Sequence, residues 1–130
     1  MYSRDEAHEQ KVGIVVTGSL LFNALMAAEE LNKSGIGASV LHMATIKPLD
    51  TEALEAFAAE HGALVTVEEH QIIGGLGGAV TEHLSGTIPT KVIRLGMMDE
   101  FGESGEPDEL IVHFGLDAAG VVAAAKKALK

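Results

Sequence analysis

The sequence predicts an α/β protein, a three-layer α/β/α sandwich built on a mainly parallel sheet of four or five strands. Three observations carry that expectation. Short apolar runs of strand length recur along the chain, amphipathic segments of helical period separate them, and glycine or proline turns stand at the junctions. Strands that alternate with helices pair in parallel and are covered on both faces, so their runs are apolar throughout.

Residues 12–16, VGIVV, form the first core strand, cut off by the turn Thr17-Gly18-Ser19. Leu21, Leu25, Ala28 and Leu31 then recur at helical spacing opposite Glu29, Glu30 and Asn32, and Gly35 stops that helix. Residues 39–46, SVLHMATI, are the second strand. After Lys47-Pro48-Leu49, Asp50 is placed to cap the next helix by accepting an otherwise unbonded N–H. Leu54, Phe57 and Ala58 line that helix and Gly62 closes it. Residues 63–67 are the third strand, 76–84 the third helix and 91–95 the fourth strand.

Beyond them, MMDEFGESGEPDEL reads as an acidic loop that opens a short helix, with Pro107 in its first turn where no N–H bond is lost. Leu110, Ile111 and Phe114 give that helix an apolar face, and Gly115 ends it. Asp117 caps the last helix, Leu116 and Val121 are spaced as a hydrophobic staple, and Lys126, Lys127 and Lys130 complement its negative end. The crossovers after the first and second core strands run in opposite directions, which gives the parallel order 2-1-3-4. Residues 1–10, MYSRDEAHEQ, are either a short antiparallel edge strand or an arm; residues 11–130 form one domain.

Composition narrows the function classes. With 130 residues the chain can bury one hydrophobic core without staples, and its many alanines and valines, beside four Phe, one Tyr and no Trp, suit closely stacked layers. The absence of cysteine excludes disulfides, thiolate catalysis and cysteine metal sites. Nineteen acids against nine Lys and Arg give a net charge of −10, which repels nucleic-acid backbones and anionic membranes. No run approaches the roughly 20 apolar residues that span a bilayer, and the N-terminal stretch has no apolar signal core, so a soluble cytoplasmic protein is expected.

In a sheet of this order the natural crevice lies outside the carboxyl ends of the first and third core strands. Thr17-Gly18-Ser19 and Glu68-Glu69-His70 both arrive there. Successive strand side chains alternate faces, so at most one of Glu68 and Glu69 shares a site with His70. Two readings stand: a carboxylate–histidine pair fit for acid/base chemistry, or one acid bonding backbone N–H groups while His70 covers the sheet end or meets another protein surface. The glycines that follow are not a dinucleotide fingerprint. Residues 68–74 separate them from their strand, and the next strand ends Arg94-Leu95-Gly96 without an acid.

Those glycines permit close approach of backbones, and a helix start is also suited to an anion. The residues carried forward as interface or anion-binding are Gly18, Ser19, Glu69, His70, Gly74, Gly75, Gly77 and Gly78. No residue is assigned to catalysis, cofactor binding or a metal. His8, His42, His61, His83 and His113 show no ligand spacing and read as structural or solvated.

Taken in order, VTGSL (16–20), ATIKPLD (44–50), VTVEEHQIIGGLGGAV (65–80), DEFGESG (99–105) and FGLD (114–117) closely resemble the C-terminal domain of transketolase-like enzymes, over about residues 11–130. The best match is the two-subunit kind of transketolase, with 1-deoxyxylulose-5-phosphate synthase and the β subunit of 2-oxo acid dehydrogenases as relatives. The resemblance implies a transketolase C-terminal-domain-like fold with a mixed sheet. It also implies an enzyme that transfers a two-carbon ketol unit between sugar phosphates in the pentose phosphate pathway, using thiamine diphosphate and a divalent metal (Mg).

In that family the cofactor is held by upstream domains, and the C-terminal domain packs on the pyrimidine-binding domain within an oligomer. The family's Gly-Asp-Gly cofactor motif is nowhere in these 130 residues. With ten residues before the first core strand, the chain is expected to be an isolated piece or a separately encoded subunit tail, inactive alone and partnered by thiamine-binding domains or a subunit of the same enzyme. The alternative is a stand-alone regulatory module binding a phosphorylated metabolite or nucleotide at the sheet crevice.

Overall fold

The computed structural model describes residues 2–3, 10–43, 50–71, 76–97 and 116–129. Five strands make one sheet: β1 (Tyr2–Ser3), β2 (Lys11–Val16), β3 (Gly37–His42), β4 (Ala63–Gln71) and β5 (Lys91–Met97), in the order β1-β3-β2-β4-β5. The four longer strands are parallel, which is the 2-1-3-4 order expected from the sequence. Tyr2 and Ser3 pair antiparallel with Val40 and Ser39, so of the two readings of the N-terminal stretch the edge strand is the one formed.

Among the described residues four helices cover the sheet: α1 (Leu21–Lys33), α2 (Thr51–His61), α3 (Leu76–Ser85) and α4 (Ala118–Ala128). The crossover from β2 to β3 runs one way along the sheet and that from β3 to β4 the other. Right-handed crossovers in opposite directions put their helices on opposite faces. The two buried clusters show this. Val12, Ile14 and Val16 face α1 and α4, whereas Val15 and Leu64 face α2 and α3.

The core of α1 differs from the stripe that its leucines suggested. Ala24, Ala27, Ala28 and Leu31 are fully buried, while Leu21 and Leu25 sit at the flank, half-buried. Alanines bring the α1 backbone close to the sheet and to Ala124, Ala125 and Ala128 of α4, so the small side chains mark the centre of the contact. On the other face the Phe57 ring lies over Gly13, where a side chain would overlap it.

The expected caps are in place. Asp50 Oδ1 accepts the Ala53 N–H at 3.1 Å and Asp117 Oδ1 the Gly120 N–H at 2.9 Å. The α2 helix ends on Gly62 in the left-handed conformation, its N–H donated to the Ala58 carbonyl at 2.8 Å. Leu116 and Val121, the expected staple, are both fully buried. The expected helix with Leu110, Ile111 and Phe114 lies outside the described residues.

Strand limits shift in physical terms. Residues 37 and 38 join β3 ahead of the expected start, paired with Lys11 and Val12 of β2, and the Asn32 side chain also bonds both backbone groups of Ala38, taking its N–H at 3.2 Å and donating to its carbonyl at 3.1 Å. Residues 44–49 lie outside the described residues. The β4 strand runs on to Gln71, four residues beyond the expected end. That extension places the candidate site.

Candidate functional site

The carboxyl ends of β2 and β4 lie side by side, with Val16 opposite Val67 and the Thr17 N–H donated to the Val67 carbonyl at 3.3 Å. The chain leaves β2 through a single turn of 3-10 helix, Gly18–Leu20, which packs against β4. Gly18 opens it at φ 66°, a left-handed conformation that glycine adopts without a Cβ penalty. Gly18 is exposed, whereas Leu20, two residues on, is buried to 1% and anchors the turn. Ser19 lies within the turn, with its side chain outside the described residues.

Past Val67 the ladder to β5 loses its even step. Val67 pairs with Leu95, and the next partners are Gln71 and Met97, so β4 spends four residues where β5 spends two. The surplus falls on Glu68, Glu69 and His70, which form a bulge. Bulges re-aim side chains, so strict alternation does not carry across this stretch and the argument that paired the acids with His70 by parity no longer applies there. The backbones of Glu69 and His70 are at the crevice beside the Gly18 turn; their side chains, and all of Gly74 and Gly75, lie outside the described residues.

Glu68 is the residue that the candidate set missed. Its side chain is 1% exposed, and its two carboxylate oxygens accept the N–H groups of Leu76 and Gly77, each at 2.8 Å. A buried carboxylate is tolerable only with such partners, and an α-helix start supplies them together with a favourable dipole. Of the two readings given above for the acids, this is the one in which an acid bonds backbone N–H groups. The sequence signal was available: a glutamate eight residues before the first apolar residue of a glycine-opened helix. Its reach could not be read from spacing alone.

Gly77 and Gly78 then separate in role. A Cβ on Gly77 would stand 2.7 Å from Arg94 Cδ and 2.9 Å from Thr66 Oγ1, so the helix start is pressed onto β4 and β5 with no room for a methyl group. A Cβ on Gly78 would meet nothing within 4 Å. Elsewhere, His61 donates to or accepts from the fold through Nδ1, 2.8 Å from the Phe57 carbonyl, and His83 Nε2 lies 2.8 Å from Glu55 Oε2, joining α3 to α2. Among the described residues no group of three or more His, Asp or Glu could hold a metal ion, and no helix is long and apolar enough to cross a membrane.

The geometry defines an open-sheet α/β domain in which a buried carboxylate at the end of β4 binds the start of α3. The match to the family described as transketolase, C-terminal domain, runs over residues 2–121, and the chain belongs to that family. It is 47% identical over 114 residues to a 6-deoxy-6-sulfo-D-fructose transketolase subunit of Clostridium sp. (strain MSTE9), covering 88% of this chain and 35% of that protein. It is 48% identical over 114 residues to a 1-deoxy-D-xylulose-5-phosphate synthase of Polaromonas sp. (strain JS666 / ATCC BAA-500), covering 87% of this chain and 17% of the relative. A solved split-gene transketolase, an inactive beta4 tetramer, superposes with a TM-score of 0.87 at 48% identity, over 92% of this chain and 39% of that one.

The chain therefore spans about a third or less of the curated relatives it matches here. The α3 start has its Leu76 and Gly77 N–H groups on Glu68, and a diphosphate placed there would meet a buried like charge.

Proposed function

We propose that this chain is the C-terminal assembly domain of a cytoplasmic transketolase, an enzyme that transfers a two-carbon ketol unit between sugar phosphates in the pentose phosphate pathway. Thiamine diphosphate and Mg²⁺ are held by other domains or a partner subunit, and the domain docks through the crevice end of its sheet. Gly18, Ser19, Glu69, His70, Gly74, Gly75, Gly77 and Gly78 belong to that end by sequence position. The carrying observation is that Glu68 occupies the Leu76 and Gly77 N–H groups at the α3 start, which favours contact with protein over a phosphate at that helix. Similar identity to enzymes named for different sugars leaves the donor and acceptor to assay.

Reconstitution tests the reading. Mixed with a thiamine-dependent transketolase from which the C-terminal domain has been deleted, the chain is expected to associate and raise ketol transfer between sugar phosphates. No association together with unchanged turnover would sink it. Self-association belongs to the same proposal, and light scattering that shows a clean monomer at high concentration would remove it. The regulatory-module alternative predicts binding heat against a panel of phosphosugars and nucleotides; the Glu68 carboxylate at the crevice counts against it.

A further inference from the structure

We draw no further inference here: the strongest candidate, the exposed apolar patch of Phe22 and Met26 on the solvent face of α1, is an unpartnered helix face, and nothing in the structure shows what covers it.

Discussion

At the scale of single residues, the two glycines that open α3 predict opposite outcomes. Gly77→Ala forces a methyl group into the space held by Arg94 and Thr66, and overpacking of this kind costs about 1–3 kcal/mol, to be read from chemical denaturation midpoints. Gly78→Ala adds its methyl group to open space and removes backbone freedom from the unfolded chain, so it should stabilise by about 0.5–1 kcal/mol. Equal effects from the pair would mean that the helix start is not pressed onto the sheet. Thr66 offers a second check. Its hydroxyl is fully buried and has no hydrogen-bond partner among the described residues, and an unsatisfied buried polar group is costly, so Thr66→Val should leave stability unchanged or raise it by up to about 1 kcal/mol. A clear loss in the melting temperature would reveal a bond made by that hydroxyl in solution.

At the scale of elements, side chains stand in for missing backbone partners. The short β1 covers β3 only at Ser39 and Val40, and Asn32, reaching from the end of α1, bonds the next residue along as an added strand would. Asn32→Ala should therefore leave the buried Ala38 groups unpaired and cost about 1–3 kcal/mol, with faster amide exchange along the β1–β3 edge. An unchanged β3 edge would show that water replaces the amide there. The Asn23 side chain acts similarly between elements, donating to the Leu116 carbonyl at 3.2 Å and so fixing the entry to α4 beside α1. The β4 bulge belongs to this scale as well, since it carries two surplus residues to the carboxyl end of the sheet, where the crossovers diverge.

At the scale of the whole molecule, Phe22 and Met26 are the large apolar side chains left exposed among the described residues, at 67% and 48%. They stand one turn apart on α1, close after the Gly18 turn. Phe22→Ser should change folding stability by no more than about 0.5 kcal/mol, as expected for an exposed position, while lowering association in the reconstitution assay. Association that is unaffected would place the docking contact elsewhere. The order of the elements, the parallel sheet, the caps at Asp50 and Asp117 and the staple at Leu116 and Val121 were all legible in the sequence, because each depends on local spacing or on alternation along the chain. The convergence of the Gly18 turn with residues 68–70 was legible too, since the strand order dictates it. Only the tertiary structure decided that α1 packs through its alanines, that Glu68 reaches across to α3, and that Gly77 is pressed against Arg94 and Thr66 where Gly78 faces open space. Those outcomes depend on distances between segments remote in sequence, which periodicity along one chain does not encode.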